Sequence, residues 1–196
     1  MSLRNPSEFN PFFGIRLRTV LQRCKNADVR ISGESQGVVE AGLLALVGFA
    51  PETTPLNSET LEEMQNCAPE LRRRLLEPLF RRWWDKVSQL RIFSDGQGKM
   101  NESLIQQQPE FGLYLVSQFT LFADTKKGNR PSYTGALAAP IAKQCFEDFV
   151  EFVRSQNNTH PVCSGVFGAD MEVSFINDGP VTLIFDCSAE SGVTSL

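Results

Sequence analysis

Three polar side chains interrupt an apolar, strand-like run in the middle of the chain. Leu113–Asp124 reads LYLVSQFTLFAD, and Ser117, Gln118 and Thr120 stand where a buried strand should stay apolar. Because buried polar groups need partners or a purpose, two interpretations are open. Either the strand leaves the core here, with its hydroxyl groups bonded to nearby backbone, or it aims N–H groups and short polar side chains at a ligand. Composition alone favours the first.

The chain offers few ionisable groups for catalysis. Its one histidine, His160, lies in a polar segment beside Pro161, and we expect it at the surface. A Ser-His-Asp triad or a zinc site needs imidazole at the site, so neither is expected. The sequence carries no phosphate-binding glycine motif of the Walker or dinucleotide type. We therefore expect no cofactor and no metal.

The elements that must position these groups follow from periodicity. Ile15–Gln22 alternates, which predicts a strand whose buried face carries Ile15, Leu17, Thr19 and Leu21. SGES predicts a hairpin turn, and SDGQG predicts a second turn. Further strands are predicted over 43–49, 91–93, 171–176 and 181–186. A helix is predicted over 140–155, with Ile141, Cys145, Phe146, Phe149, Val150 and Val153 facing the sheet.

The segment Pro51–Leu90 is strongly basic and rich in proline. Asn57 or Ser58 can cap a first helix, which Pro69 breaks or kinks. After Pro78, Trp83, Val87 and Leu90 fall at helical spacing and predict a buried face. Five arginines accompany these helices: Arg72, Arg73, Arg74, Arg81 and Arg82. The usual interpretation is a solvated helical face, and contact with RNA is the alternative.

A second segment with turn chemistry lies far downstream. Phe175–Phe185 reads FINDGPVTLIF, in which two strand-like halves flank Asn177-Asp178-Gly179-Pro180. With the first segment it resembles the D-aminoacyl-tRNA deacylase (D-tyrosyl-tRNA deacylase) family, which carries Ser-Gln-x-x-Leu and Asn-x-x-Pro-x-Thr motifs. The matching residues are Ser117, Gln118, Leu121, Asn177, Pro180 and Thr182. The resemblance runs from about Ile15 to Asp186 and includes LQR, LRIFSDGQGKMN, ADTKKGNRPSY and FGADM.

The resemblance implies a fold, an activity and a set of site residues. The fold is mixed α/β, with a barrel-like β-sheet flanked by helices. The activity is hydrolysis of the ester bond of D-aminoacyl-tRNA. The enzyme would be a cytoplasmic homodimer that does not associate with a membrane. The catalytic residues would be Ser117, Gln118, Phe119 and Thr120. The substrate-binding residues would be Gly179, Pro180, Asn177, Thr182, Met171, Phe167, Gly168, Ala169 and Arg23.

An aminoacyl-tRNA ester suits a site with few ionisable groups, because the bond is already activated. Its hydrolysis passes through an oxyanion that backbone N–H groups around Gln118–Thr120 can stabilise, and the N–H of Phe119 is the best candidate. Thr120 has no neighbouring base, so its hydroxyl is a poor nucleophile. We therefore expect attack by water, assisted by the ribose 2′-OH of the terminal adenosine.

In the family, the dipeptide matching Gly179-Pro180 is cis and enters the other subunit's active site. There its carbonyls accept from the substrate's amino group and leave no room for an L side chain, which is selectivity by clash. Glycine has no side chain to exclude, so glycyl-tRNA should also be hydrolysed. Asn177 and Thr182 should hold this loop through Asx-type and hydroxyl–backbone bonds, and Arg23 is expected to brace the loop of a partner subunit.

Two further segments are expected to contact the tRNA end. Phe167, Gly168, Ala169 and Met171 resemble the family segment that seats the terminal adenine, although Met171 could equally be a core residue. The loop 126–131, KKGNRP, places cations beyond the catalytic segment, near the terminal phosphates. Its alternative role is an ordinary solvated loop.

Two rival functions remain open at this stage. One is a related tRNA editing deacylase with relaxed chirality, whose first motif begins with proline where Ser117 stands here. The other is a non-catalytic RNA- or DNA-binding module on the same fold. The intact Ser117/Gln118 and Asn177/Pro180 motifs disfavour the second.

Length and composition favour one domain. We predict an N-terminal extension over 1–14, a single deacylase domain over 15–187 with the basic helical insertion at about 51–88, and a frayed C-terminal tail over 188–196. The chain has 196 residues, 41% hydrophobic content and a formal charge of −4, so a general nucleic-acid coat protein is excluded. No secretory signal or transmembrane run is recognised. Five widely spaced cysteines without a CxxC pair favour a reducing compartment.

Overall fold

The computed structural model describes residues 10–52, 56–188 and 192–195. Within these ranges the chain forms eight strands, three α-helices and two short 3₁₀ turns. The strands are β1 (Ile15–Ile31), β2 (Glu34–Pro51), β3 (Phe93–Ser94), β4 (Met100–Glu102), β5 (Phe111–Ser117), β6 (Val162–Ser164), β7 (Glu172–Ser188) and β8 (Gly192–Ser195). The helices are α1 (Ser58–Gln65), α2 (Pro69–Ser88) and α3 (Ala139–Gln156), and the 3₁₀ turns are Leu104–Gln106 and Phe119–Phe122.

The architecture is mixed α/β, with a curled sheet that forms half of a barrel, and this confirms the predicted fold class. The strand order is β6-β5-β2-β1-β7-β8, and β3 pairs with β4 in a separate two-stranded sheet. β1 lies antiparallel to β2 and to β7, whereas β5 runs parallel to β2 and to β6. The predicted hairpin turn joins β1 to β2 at Ser32 and Gly33.

The alternation predicted for the start of β1 is confirmed. Leu17, Thr19 and Leu21 are fully buried, and the residues between them are partly exposed. The buried hydroxyl of Thr19 accepts a hydrogen bond from Trp83 Nε1 at 2.9 Å, which explains a polar residue on this face. β1 continues past the predicted end to Ile31, but the alternation stops at Gln22 and Arg23, which are both partly exposed, and the register against β7 shifts there.

An aromatic cluster joins the helices to one face of the sheet. Phe149 of α3 packs edge-to-face against Phe80 and Trp83 of α2, with ring centroids 5.2 Å and 4.8 Å away, and against Phe49 of β2 at 6.3 Å. The apolar stripe predicted for α3 is buried as expected. The main core therefore lies between this helical layer and the sheet.

Pro69 does not have the structural role that the sequence predicted, whereas the predicted helix cap is confirmed. Asn57 caps α1 as expected, since its Oδ1 accepts from Thr60 N at 2.7 Å. Pro69 does not break a helix. It begins α2, where the N–H that proline lacks would have no helical partner. Pro78 lies inside α2, which runs through it to Ser88.

The interpretation of the arginine run as a solvated face is wrong for Arg72. Its side chain is 8% exposed, and its Nε lies 2.6 Å from Asp148 Oδ2 on α3. Arg73 Nε lies 3.0 Å from the other oxygen of the same carboxylate. These arginines therefore fasten α2 to α3, and hydropathy did not reveal it because the acidic partner lies on another helix.

Replacing Asp148 by alanine should destabilise the fold strongly. The change leaves the buried guanidinium of Arg72 without its carboxylate, which costs about 3–5 kcal/mol. Glu151→Ala is the matched control, because Glu151 pairs with Arg73 where both side chains are more than half exposed, and such pairs contribute roughly 1 kcal/mol or less. Denaturant unfolding measures both free energies, and equal losses would show that the buried pair has no special role.

Residues near both ends of the described chain contact the rest of the domain. Phe12 is buried in the main core, while residues 1–9, including Phe9, lie outside the described residues. The expectation of a frayed C-terminal tail is wrong for Gly192–Ser195, which forms β8 against Phe185–Ser188. The other edge of this part of β7 is free to pair, and residues 192–195 form backbone hydrogen bonds with it. Among the described residues, no helix is long and apolar enough to cross a membrane.

Candidate active site

The Ser-Gln segment lies at the end of β5, where the chain turns away from the sheet. We call residues 117–120 the corner. Ser117 is the last residue of β5 and pairs with Val47 of β2. The backbone N–H of Gln118 donates to Val47 O at 2.7 Å, so this N–H is not available to a substrate. Phe119 then opens a 3₁₀ turn, and its N–H has no partner within the described part of the chain.

Two contacts fix the shape of this corner. Gln118 Nε2 donates to Thr120 Oγ1 at 2.5 Å, so the threonine hydroxyl is held by an amide and not by a base. A Cβ at Gly48 would lie 2.7 Å from the carbonyl oxygen of Gln118, so only glycine lets the corner lie this close to β2. The sequence alone gives no signal for Gly48, because its neighbour at the corner is about seventy positions away.

A cavity of about 590 Å³ opens beside the corner. Ser117, Gln118 and Phe119 form one part of its wall, and Phe167–Met171 forms another. The remaining lining residues come from β5, β7, α3 and the segment before α3, and they are Val116, Tyr133, Ala136, Leu137, Ala138, Ala139, Ala142 and Val173. The structure thus brings three of the four predicted catalytic residues to one cavity with the predicted adenine-binding segment, while Thr120 does not line it. Its size is within the usual range for small-molecule sites.

The Phe167–Met171 segment is a tight turn. Gly168 has a φ of +77°, and Ala169 N donates to Val166 O at 3.2 Å. A Cβ at Gly165 would lie 2.6 Å from the sulfur of Met171, so this side chain is wedged against backbone. Met171 packs on a second apolar cluster and also lines the cavity, and its contact with the terminal adenine stays a prediction.

Tyr133 is a cavity residue that sequence reasoning missed. Tyr133 is 41% exposed, and its ring meets edge-to-face the ring of Phe119, a residue that is 52% exposed, with centroids 5.1 Å apart. Tyr133 belongs to the ADTKKGNRPSY stretch, which pointed to the region without singling out the ring. The loop before it is closed by two backbone hydrogen bonds between Asp124 and Ser132. That loop carries exposed Lys126, Lys127 and Arg130.

The Asn-x-x-Pro segment is a bulge in one long strand, whereas two separate strands were predicted. In the pairing of β1 with β7, Gln22 faces Thr182 and Cys24 faces Asn177, so residues 178–181 all lie opposite Arg23. The Gly179–Pro180 peptide bond is cis, and both residues are exposed.

Asn177 holds this bulge from its base. Its Oδ1 accepts from Val181 N at 3.2 Å, a side chain–backbone bond that reaches four residues on, whereas an Asx-turn reaches two. Its Nδ2 donates to the hydroxyl of Thr182 at 3.0 Å, and Gln22 Nε2 donates to the same oxygen at 3.3 Å. Thr182 therefore binds side chains here, whereas a hydroxyl–backbone bond was expected.

Arg23 contacts the bulge of its own chain. Its Nε lies 3.0 Å from Asp178 Oδ2 and 3.1 Å from the carbonyl oxygen of Asp178, and its Nη1 donates to Ile92 O at 2.5 Å. The hydrogen bond from Lys25, together with the charges of Arg23 and Lys25, lowers the pKa of Asp178. Arg23 therefore supports the bulge of its own chain, because β1 and β7 are neighbours in one sheet, and the expectation that it braces a partner's loop stays a prediction.

The bulge and the Ser117 corner lie far apart within one chain. The bulge is level with Arg23, which pairs with Leu43, whereas Ser117 is level with Val47, four residues further along β2. β7 and β5 are three strand spacings apart. With spacings of about 4.8 Å across the sheet and 3.3 Å along it, the separation is roughly 20 Å.

The sheet face opposite the helices carries an apolar row. Cross-strand pairing places Val116, Leu46, Val20 and Ile184 side by side from β5 to β7. Val116 is buried beside the cavity, Leu46 and Val20 are partly exposed, and Ile184 is 38% exposed. The row is flanked by polar pairs, Arg18 with Asp186 on one side and Gln22 with Thr182 on the other.

His160 lies away from the cavity, but it is not at the surface. The residue is 5% exposed, because Asn157 closes the loop that precedes it by bonding both its N–H and its carbonyl. Its Nδ1 lies 3.1 Å from the carbonyl oxygen of Phe111. The prediction of a surface histidine is therefore wrong. Among the described residues, no group of three or more His, Cys, Asp or Glu side chains is placed to hold a metal.

Comparison with known proteins gives three results. Residues 77–186, more than half of the chain, match the family described as D-Tyr-tRNA(Tyr) deacylase. A solved structure named "c-Myc DNA Unwinding Element Binding Protein" is 28% identical, with a TM-score of 0.66 over 85% of this chain and 96% of that chain. A structure of "a probable eukaryotic D-amino acid tRNA deacylase" has a TM-score of 0.60 over 87% of this chain and 99% of that chain. The latter is 19% identical, which shows a shared fold.

Proposed function

The chain belongs to the D-Tyr-tRNA(Tyr) deacylase family and is an enzyme that hydrolyses D-aminoacyl-tRNA; from this premise we propose a complete site. The cavity beside Ser117 holds the terminal adenosine and its D-aminoacyl or glycyl ester. The observation that carries the proposal is the shared cavity, since the Ser117–Phe119 corner and Phe167–Met171 both line it. The adenine lies against Phe167–Met171, and the ester carbonyl lies at the corner.

The corner supplies the oxyanion donor. Phe119 N–H is the candidate, because it is unpartnered in the described chain while the neighbouring N–H of Gln118 is bonded to Val47. A donor of this kind contributes roughly 3–4 kcal/mol to the transition state in enzymes where it has been removed. Water attacks the carbonyl, the ribose 2′-OH assists the proton transfer, and the C–O bond to the ribose breaks. The products are free D-amino acid and tRNA.

Thr120 positions the corner and does not attack the ester. Its hydroxyl accepts from the Gln118 amide, which cannot take its proton. Thr120→Ala and Thr120→Val should therefore both lower kcat for D-tyrosyl-tRNA by less than about tenfold. Single-turnover assays measure this. Complete loss in folded variants, together with a trapped acyl-enzyme in the wild type, would establish a covalent mechanism instead.

A homodimer completes the site. The bulge of one chain lies roughly 20 Å from its own corner, and the midpoint between them falls between β1 and β2, beside Val20 and Leu46. We place a two-fold axis at this midpoint. It lies in the plane of the sheet face and is perpendicular to the line that joins the bulge to the corner. Rotation about it brings the bulge of each chain to the corner of the other. Such an interface has an apolar centre and a polar rim, as protein interfaces commonly do.

The bulge excludes L-amino acids. Its exposed Gly179 and Pro180 approach the ester from the partner subunit, and their carbonyls accept from the substrate's amino group. An L side chain would occupy the space that they fill, whereas a D side chain or the hydrogen of glycine would not. Wild-type enzyme should hydrolyse D-tyrosyl-tRNA and glycyl-tRNA and spare L-alanyl-tRNA, which is measured with three charged tRNAs. Rapid release of L-alanine would refute the gate.

The acceptor end of tRNA is the partner that the surface charges fit. Lys126, Lys127 and Arg130 extend from the same loop that leads to Tyr133 at the cavity, so they can neutralise terminal phosphates. The insertion is a weaker candidate, because Arg72 and Arg73 are engaged with Asp148. The described cysteines are all free, which is consistent with our placing the enzyme in the cytoplasm.

DNA binding is the second candidate function, because one similar structure is named for it. The formal charge of −4 and the few clustered cations do not favour a duplex-binding surface. One ester-hydrolysis assay separates the possibilities. Release of D-tyrosine and glycine supports the proposal, release of L-amino acids supports a relaxed editing deacylase, and no release from any ester supports a binding module.

A further inference from the structure

Two exposed aromatic rings stand at the rim of the cavity. Phe119 is 52% exposed and Tyr133 is 41% exposed, although large aromatic side chains are normally buried. Both line the cavity with Ser117, and their rings meet edge-to-face at 79°. The ester chemistry uses the N–H of Phe119 and neither ring, so the exposed pair needs another explanation.

The position of Tyr133 is fixed by backbone hydrogen bonds on both sides. Ser132 exchanges two hydrogen bonds with Asp124, at 2.7 Å and 2.9 Å, immediately before it. Ala136 N donates to the carbonyl oxygen of Tyr133 at 3.0 Å immediately after it. The ring is therefore presented to solvent by a held backbone.

Positive charge accompanies the exposed rings. The loop that Asp124 and Ser132 close contains Lys126, Lys127 and Arg130, all exposed. The carboxylate of Asp124 accepts the N–H of Lys126 at 2.9 Å and helps to shape the loop. Aromatic faces beside cations are the combination by which proteins bind single-stranded nucleic acid.

We propose that the Phe119–Tyr133 pair is a stacking platform for the base of the nucleotide that precedes the terminal adenosine. The cations of the loop, Lys126, Lys127 and Arg130, hold the phosphate that joins this nucleotide to the adenosine. The inference rests on the proposed function, because it requires the adenosine to occupy the cavity. Every base has a flat face, so the platform accepts the nucleotide without reading its sequence. The substrate class is then an ester on an unpaired 3′ end, and not a nucleoside ester alone.

Three small substrates test the platform. They are the D-tyrosyl esters of adenosine, of cytidylyl-adenosine, and of the same dinucleotide with an abasic sugar in place of cytidine. In the wild type the cytidine should lower KM by roughly 5- to 100-fold relative to adenosine, which is the range for one stacked base. The abasic ester keeps the phosphate and should lose most of this gain. An abasic ester as good as the cytidine ester would overturn the proposal.

Variants of Tyr133 show whether the gain comes from the ring. Tyr133→Ala should remove most of the KM gain due to cytidine, and Tyr133→Phe should retain it. Phe13→Ala is the matched control, because Phe13 is 50% exposed and does not line the cavity. If Tyr133→Ala keeps the full gain, the platform is wrong.

A binding measurement keeps this test separate from catalysis. The affinity of uncharged, fluorescently labelled CCA trinucleotide should fall about 5-fold or more in Tyr133→Ala, as followed by anisotropy. Equal affinities in the two proteins would overturn the platform. If the wild type binds the trinucleotide through Tyr133 but hydrolyses none of the esters, the proposed function fails and the platform stands.

Discussion

Val20→Glu is expected to separate the protomers of the proposed homodimer and to abolish D-aminoacyl-tRNA hydrolysis in one step. Val20 lies at the centre of the apolar row, where it pairs with Leu46 on one side and Ile184 on the other. A carboxylate buried there without a partner costs about 3–5 kcal/mol, which weakens association by roughly 100-fold or more. Each freed protomer keeps its corner but loses the bulge that completes its site.

Sedimentation velocity and kcat/KM for D-tyrosyl-tRNA, measured at the same concentrations, give the result. Val38→Glu is the control, because Val38 is 53% exposed on β2 and does not belong to the row. It should leave mass and activity as in the wild type. A monomeric Val20→Glu enzyme that still discriminates D from L substrates would remove the basis for a shared site, and so would an unchanged dimer.

Periodicity was sufficient to predict the elements that pack regularly. The alternation of Leu17, Thr19 and Leu21 predicted β1, and the helical stripe of α3 predicted its buried face. Both patterns involve residues that are close together in the sequence, so they can be recognised without knowledge of the fold. Thr19 is buried in this pattern despite its hydroxyl, because the indole N–H of Trp83 on α2 donates a hydrogen bond to it. The sequence alone does not identify this partner.

What could not be predicted depends on pairing between distant segments. β7 is one strand and not two, because its bulge is defined by the register against β1. Arg72 is buried because Asp148 lies on the helix packed against it, and His160 is buried because Asn157 closes its loop. In each case the sequence shows a polar residue, and the burial comes from a partner that only the fold supplies.

The cavity illustrates the same division. The Ser117–Phe119 and Phe167–Met171 segments were identified by motif, but their common cavity arises from the curled sheet. Tyr133 and Gly48 carry no motif signal of their own, since the ring matters through its contact with Phe119 and the glycine through its contact with Gln118. Motifs thus predicted which segments take part in the chemistry, and the topology of the sheet determines which residues line the cavity.

Gly179→Ala should impair the bulge while leaving the fold intact. Gly179 has a φ of +124°, which side chains rarely adopt, and a Cβ there would lie 2.9 Å from both Arg23 Nη2 and Val181 Cγ2. The bulge must shift to relieve these contacts. We expect kcat/KM for D-tyrosyl-tRNA to fall by roughly 10- to 100-fold, because displacement by about 1 Å is enough for such a loss, and the preference for D over L esters to shrink.

Gly33→Ala separates backbone strain from the role of the bulge. Gly33 also has a positive φ, +83°, but it lies in the β1–β2 turn and a Cβ there would meet nothing within 4 Å. This variant should lose about 1 kcal/mol of stability and keep its activity and stereoselectivity. If the two alanine variants behave alike in the kinetic assay, Gly179 has no role beyond its own conformation.

Mixing two impaired variants shows from which subunit the bulge acts. Gly179→Ala impairs the bulge, and Phe119→Pro removes the candidate oxyanion N–H at the corner. In a two-fold dimer that shares its sites, a mixed dimer contains one site built from two intact segments and one built from two damaged ones. After subunit exchange, an equal mixture should therefore regain about a quarter of the wild-type activity. If bulge and corner act within one chain, every site keeps one damaged segment, and the mixture should be no more active than its components.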